Sequence, residues 1–164
     1  ADNAVPMLYS EEFGYLSERT QLWSRWKPKT PVDRKMKKED ETEILIFCEC
    51  KGVAHCERPN RSVGCRTFPL EPYFDSMGNF VGLIFMKEFR NKCPLMSRLK
   101  DIKQHVVDNH YRFWQLMFAK KADELELYIS TSRGWRISAS KRGTEPPILY
   151  PSEKLRAESV RAAS

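Results

Sequence analysis

The chain has 164 residues, of which 41% are hydrophobic and 30% charged, and it carries a formal net charge of +6. This is the composition of a globular protein, and the length is sufficient for one domain with a core. No apolar run approaches the roughly 20 residues that a membrane-spanning helix needs. The first residues do not form a signal peptide, so we expect a cytoplasmic protein without a membrane segment.

The first predicted element is a helix that begins at Ser10. The hydroxyl of Ser10 can cap the helix, and acidic residues follow in the first turn, where the helix dipole favours them. Pro28 and Pro31 end this element and open a charged linker of residues 27–42. One helical face is predicted to carry the apolar and small side chains Phe13, Leu16, Thr20 and Trp23.

The charged linker has a strongly uneven distribution of charge. Residues 27–38 include six basic side chains and one acidic side chain, and an acidic run begins directly after them. One interpretation is a solvated linker with internal charge compensation. The alternative is a phosphate-binding patch that includes Lys35, Lys37 and Lys38, for which nucleic acid would be the acidic partner.

The middle of the chain predicts strands on either side of an irregular loop. The run Glu43–Cys48 is apolar and strand-sized, whereas residues 49–69 contain several glycine and proline breakers. Leu70–Phe74 and Asn79–Met86 predict two strands of a hairpin, because the residues between them supply turn chemistry. The loop has too little apolar surface to fix itself, so we expect something else to hold it.

The second half of the chain predicts one long helix and a second hairpin. The helix covers Ser97–Lys120, and the hairpin pairs Glu124–Thr131 with Trp135–Ser140. Residues 142–164 form a polar tail that either contains a short helix or is disordered. The expected fold is α+β: residues 1–141 form a single domain with a small antiparallel sheet, a long packed helix and a cysteine-rich loop tied together by a metal.

The cysteines carry the main chemical signal. Their spacing is C-x-C-x5-C-x8-C-x27-C, and all five lie in one window of the chain. Thiolates suit zinc and iron–sulfur clusters, and metal binding would supply folding free energy to the loop. His55 adjoins one cysteine and is a further possible donor. Buried free thiols, a disulfide and a redox role are the alternatives. The predicted ligands are Cys48, Cys50, Cys56, Cys65 and Cys93.

The segment from Cys56 to Leu70 resembles the YkgJ-type cysteine-cluster family, whose members are described as zinc- or iron-chelating proteins. The shared pattern is a cysteine, an Arg-Pro step, and Cys-Arg followed by an aromatic residue, proline and an apolar residue. Cys93-Pro94-Leu95 resembles a further cysteine of some members. The matching residues are Cys56, Arg58, Pro59, Cys65, Arg66, Phe68, Pro69 and Leu70.

The resemblance implies a cysteine-ligated zinc or iron centre, with an iron–sulfur cluster as one form, and a protein-modifying or redox activity as one outcome. Arg66 is a supporting residue that could donate to a thiolate or an anion. The family's opening C-x2-C-C group is not matched here and is expected before Ala1, and residues 60–64 lengthen the usual gap. Two other functions stay open: a basic nucleic-acid-binding module with a structural zinc, and a metal-free interaction protein with buried thiols.

Overall fold

The computed structural model of the chain describes residues 5–89 and 93–162. It is an α+β protein with small antiparallel sheets and several helices, as the sequence predicts. The chain divides into two compact units, residues 1–66 and residues 67–164, whereas the sequence predicts one domain of residues 1–141 with a polar tail.

The first unit is built on a three-stranded antiparallel sheet. Its central strand is β3 (Leu45–Cys50), flanked by the short strands β1 (Met7–Tyr9) and β2 (Trp23–Arg25). The register places Leu8 opposite Ile46 and Trp23 opposite Cys50. One face of this sheet packs into a core of buried side chains: Leu8, Leu16, Leu22, Trp23, Ile46 and Cys48.

Helix α1 (Ser10–Ser17) begins where the sequence predicts a helix but ends earlier. Its N-cap is Tyr9, so Ser10 is the first helical residue and does not cap the helix with its side chain. The prediction that Trp23 shares the helical face is wrong, because Trp23 lies in strand β2. The backbone of Trp23 forms its hydrogen bonds with strand β3, so it does not need the hydrogen bonds of a longer helix.

The predicted linker of residues 27–42 contains helix α2 (Pro31–Asp40). The side chain of Thr30 accepts from the backbone N–H of Asp33 at 3.1 Å, and the Asp33 carboxylate accepts from the N–H of Thr30 at 3.0 Å. This reciprocal capping box, with proline at the first helical position, starts the helix. The capping pair and the proline are both visible in the sequence. The high content of charged residues nevertheless favoured the interpretation of this segment as a linker.

The loop after β3 is made of short helical turns. Two 3-10 turns cover Val53–His55 and Arg58–Asn60, and helix α3 covers Val63–Thr67. The α3 helix ends at the junction of the two units. Each turn satisfies part of its own backbone, which is why the loop has a defined path despite the scarcity of apolar residues in it.

The second unit contains the predicted hairpin. Strands β4 (Leu70–Phe74) and β5 (Phe80–Phe85) are antiparallel and are joined by a turn at Asp75. The Asp75 carboxylate accepts from the N–H groups of Met77 at 2.8 Å and Asn79 at 2.9 Å. Burial alone would raise the pKa of Asp75, but these hydrogen bonds and that of the Asn79 side chain hold it below its usual value.

The predicted long helix is shorter at its start. Helix α4 covers Gln104–Lys120, and a 3-10 segment, Pro94–Asp101, precedes it. The core between α4 and the hairpin is rich in aromatic rings. Its fully buried members are Leu70, Leu83, Phe85, Val107 and Trp114.

The predicted second hairpin, Glu124–Thr131 with Trp135–Ser140, is wrong. These residues form one helix, α5 (Asp123–Ser140), and a final helix, α6 (Glu153–Ala162), lies in the polar tail. Ser132, Trp135 and Ala139 are buried at a spacing of three and four, which is a helical face. Burial of this face in the second unit therefore favours a helix over the predicted hairpin.

Candidate functional site

The five cysteines are all free thiols, and they fall in both units. Cys50 is exposed at the end of β3, Cys56 follows the first 3-10 turn, and Cys65 lies in α3. Cys93 belongs to the second unit, where its partly buried side chain packs against the core. The first unit therefore presents three exposed thiols.

Cys48 differs from the exposed cysteines because its side chain has no exposed surface. It packs in the core of the first unit beside Leu16 and Ile46. The pKa of its thiol is raised to about 11, mainly by burial. The charge of Arg25 opposes this rise, and the carboxylates of Glu41 and Glu12 add to it. A thiol in this environment stays protonated at neutral pH, which makes it a poor ligand and a poor nucleophile.

Protein hydrogen bonds hold the cysteine loop, residues 51–66. The indole N–H of Trp23 donates to the carbonyl oxygen of Asn60 at 2.8 Å. The hydroxyl of Thr20 donates to the Glu57 carboxylate at 2.7 Å, and the Asn60 side chain donates to the same carboxylate at 2.5 Å. These hydrogen bonds fix the loop to the sheet and to the turn after α1.

The start of helix α3 is held by a carboxylate. Glu12 accepts from the backbone N–H of Val63 at 2.5 Å, and the Ser62 hydroxyl accepts from the N–H of Cys65 at 3.3 Å. Burial raises the pKa of Glu12, although hydrogen bonds from the backbone of Val63 and Tyr9 and the charge of Arg66 act in the opposite direction. The position of Cys65 is therefore set by hydrogen bonds at the N-terminal end of its short helix.

Two arginines organise the thiols of the loop. The Arg61 guanidinium donates from Nε to the Cys56 sulfur at 3.1 Å. This hydrogen bond, followed by the charges of Cys56 and Cys65, raises the pKa of Arg61. Arg66 donates to the carbonyl oxygens of Arg61 at 3.0 Å and Pro59 at 2.6 Å. Arg66 thus shapes the loop backbone, while Arg61 contacts the sulfur of Cys56.

The described residues do not include a completed metal site. Within residues 5–89 and 93–162, no group of three or more His, Cys, Asp or Glu side chains is arranged to hold a metal ion. His55 lies in the turn before Cys56 with an exposed side chain. The candidate donors of the first unit are therefore Cys56, whose sulfur accepts from Arg61, and the exposed side chains of Cys50, Cys65 and His55.

The lysines predicted to bind phosphate lie on helix α2, and two of them have partners. The ammonium group of Lys35 is 3.8 Å from the Glu39 carboxylate. Lys37 donates to the carbonyl oxygen of Trp26 at 2.9 Å and is 3.3 Å from the Glu41 carboxylate. Lys38 is exposed. These pairs offset part of the positive charge of Lys35 and Lys37, and phosphate binding at this helix stays a prediction.

Comparison of the chain with family models, curated proteins and solved structures finds no match. The resemblance to the YkgJ-type family therefore stays a prediction. In the described part of the chain, every helix is too short or too polar to cross a lipid bilayer.

Sequence reasoning missed the two side chains that position the thiols. Arg61 falls in the segment that lengthens the family pattern, and Glu12 lies far from the cysteines in the chain. A basic residue five positions after Cys56 is a usable signal, because a guanidinium stabilises a nearby thiolate. Glu12 and Val63 are 51 residues apart in the chain, so no local sequence pattern predicts their hydrogen bond.

Proposed function

We propose that this protein binds a metal ion, zinc or iron, through the thiolates of Cys56 and Cys65, with Cys50 as a third sulfur donor. The observation that carries this function is the hydrogen bond of 3.1 Å that the guanidinium of Arg61 donates to the sulfur of Cys56. Cys65 lies in helix α3 of the same loop, with an exposed side chain. Hydrogen bonds from the surrounding protein to ligand sulfurs are a regular part of cysteine metal centres.

The difference in burial among the cysteines supports this choice of ligands. Cys50, Cys56 and Cys65 are exposed, so a metal ion can reach their sulfur atoms from solvent. Cys48 lies in the core with a raised pKa, and we leave it out of the ligand set. Cys93 lies in the second unit and packs against its core, so it is also left out.

A metal at these positions would add to the hydrogen bonds that already hold the loop. Its binding free energy would appear as stability of residues 51–66, because a metal held by more than one of these thiols would favour the folded loop over the unfolded chain. Zinc would supply a structural cross-link or a Lewis acid, and an iron–sulfur cluster would supply electron transfer. The side chains of this chain contribute the thiolate donors and the Arg61 hydrogen bond.

Elemental analysis tests this function directly. Protein purified without chelator and without oxygen is expected to contain about one equivalent of zinc or iron per chain. Visible absorption distinguishes the two metals, since an iron–sulfur cluster is coloured and zinc bound to thiolates is not. Less than about a tenth of an equivalent of both metals together would overturn the proposal.

Serine variants test the ligand set. Cys56→Ser and Cys65→Ser are expected to lose most of the metal, and Cys50→Ser is expected to lose part of it. Cys93→Ser is the matched control, and its metal content should equal that of the original protein. Full metal retention in Cys65→Ser would contradict the assignment, as would loss of metal in the control alone.

A further inference from the structure

The second unit contains an open cavity of about 710 Å³ beside the turn of the β4–β5 hairpin. Helix α4 lines it with Tyr111, Gln115 and Phe118, whose spacing of four and three residues places them on one helical face. The hairpin contributes Phe80, and the C-terminal segment contributes Tyr150 and Arg156. The volume falls within the roughly 300–1,000 Å³ that small-molecule sites occupy.

Aromatic rings in fixed positions form the wall of the cavity. The rings of Phe80 and Tyr111 are stacked, with centroids 4.3 Å apart and planes inclined by 15°. The Tyr111 hydroxyl donates to the carbonyl oxygen of Phe80 at 2.9 Å, which fixes the pair. Phe118 meets the ring of Phe80 edge to face, with centroids 5.5 Å apart. A flat ring entering the cavity would meet an aromatic wall whose rings already hold one another in place.

The charge of the cavity wall comes from one residue. Among the lining residues, all of which belong to the described part of the chain, Arg156 alone is charged. It lies on helix α6, and its guanidinium is 5.9 Å from the centroid of the Tyr150 ring. An exposed guanidinium beside an aromatic wall offers a planar pair of donors for a carboxylate or a phosphate group.

We infer that this cavity binds a small, flat aromatic molecule that carries one negatively charged group. The ring system packs against Phe80 and Phe118, and the anionic group pairs with Arg156. A single small molecule matches the volume, and the positive charge beside apolar rings selects an anionic ligand over a neutral one. This site lies in the second unit and does not depend on the metal proposed for the first.

Two fluorescent compounds of similar shape and different charge test the inference. The anionic compound is 8-anilinonaphthalene-1-sulfonate, and the neutral compound is N-phenyl-1-naphthylamine. We expect saturable binding of both compounds, tighter for the anion. Arg156→Gln should weaken binding of the anion about tenfold and leave the neutral compound unchanged. Competition by 1-naphthoate and by 1-naphthyl phosphate then shows which anionic group the site prefers.

Two further variants provide a control outside the cavity and a change within its wall. Arg133→Gln removes an exposed arginine that does not line the cavity, so it should bind both compounds like the original protein. Leu125→Trp places a larger side chain in the cavity wall and should weaken both compounds, with circular dichroism confirming that it folds. Unchanged binding of the anion to Arg156→Gln, or no saturable binding to the original protein, would overturn the inference.

Discussion

The indole N–H of Trp23 donates a hydrogen bond of 2.8 Å to the carbonyl oxygen of Asn60. Trp23 lies in β2, directly opposite Cys50, and its ring is only 5% exposed. One residue therefore packs in the core of the first unit and also holds the cysteine loop. The folded sheet therefore contributes directly to the path of the loop.

Replacing this tryptophan is expected to loosen the loop. Trp23→Phe keeps an aromatic ring in the core but leaves the carbonyl of Asn60 without the indole N–H. We expect the free energy of unfolding to fall by about 1–3 kcal/mol, from the lost hydrogen bond and the smaller ring. Urea denaturation measures the fall, and limited proteolysis should show faster cleavage within residues 51–66.

Trp26→Phe is the matched control for the loop. Trp26 is also buried, and its ring packs against Phe47 with centroids 5.5 Å apart. This variant should lose stability through the smaller ring while the rate of loop cleavage under native conditions stays close to the original. Equal cleavage of the loop in both variants would show that the hydrogen bond from Trp23 does not anchor it.

The contact between Arg61 and Cys56 predicts a reactive thiol. The guanidinium donates to the sulfur at 3.1 Å, and this stabilises negative charge on it. After chelator treatment, Arg61→Gln should slow alkylation of Cys56 by iodoacetamide several-fold, as followed by mass spectrometry. Arg58→Gln removes an exposed charge from the neighbouring turn and should have a smaller effect. Identical rates in the two variants would mean that general charge, not this contact, governs reactivity.

A buried hydroxyl joins helix α5 to the hairpin. Ser132 has no exposed surface, and its hydroxyl accepts from the N–H of Phe74 at 2.9 Å and donates to the carbonyl of Tyr128 at 2.7 Å. Ser132→Ala should lower the free energy of unfolding by about 1–3 kcal/mol, because the buried N–H of Phe74 loses its acceptor. Thermal or urea denaturation measures this loss.

The neighbouring threonine provides the comparison. Thr131 donates only within its own helix, to the carbonyl of Leu127 at 3.1 Å, and it is half-buried. Thr131→Ala should change stability by less than about 0.5 kcal/mol. If the two alanine variants lost equal stability, the link between Ser132 and the hairpin would contribute nothing measurable.

Some elements of the fold could be predicted from local sequence. The β4–β5 hairpin follows from turn residues that act through their own backbone, as the Asp75 contacts show. Helix α5 could not be found in this way, because Leu125, Leu127 and Ile129 alternate with other residues in the pattern of a strand. Burial of Trp135 and Ser132 on one helical face overrides that local alternation.

The sequence predicts which residue types form the candidate site, but not which of them are exposed or what they contact. Spacing identified the cysteines, but it could not tell that Cys48 points into the core while Cys50, two residues later on the same strand, is exposed. That difference arises because β3 passes from the core to the edge of the unit along its length. The partners Glu12 and Arg61 depend on contacts made by the folded chain, which no local pattern records.

Two glycines of the second unit should respond to alanine in opposite directions. A Cβ atom on Gly82 would lie 2.7 Å from the carbonyl oxygen of Leu149 and 2.9 Å from Cγ2 of Ile148, so Gly82→Ala must displace the segment that pairs with β5. We expect a loss of about 1–3 kcal/mol. Gly134 lies within α5 with open space around its Cα, and Gly134→Ala should add up to about 1 kcal/mol. Stabilisation by both changes would contradict the packing at Gly82.

The half-buried carboxyl group of Glu12 predicts how stability depends on pH. Burial raises its pKa in the folded chain above the ordinary 4.5, despite the hydrogen bond from the N–H of Val63. The folded state therefore holds this proton more tightly than the unfolded state. The contribution of Glu12 to stability is fully present below pH 4.5 and is lost as the pH rises through the raised value.

Glu12→Gln removes this titration but keeps an oxygen that can accept from Val63. We expect the stability of the variant relative to the original protein to rise between pH 4.5 and neutral pH, as measured by urea denaturation at each pH. Glu18→Gln, in an exposed glutamate just after α1, should follow the original curve throughout. Parallel curves for Glu12→Gln and the original protein would mean that burial does not penalise the charged form of Glu12. In that case the carboxylate at the start of α3 would position Cys65 without a cost in stability.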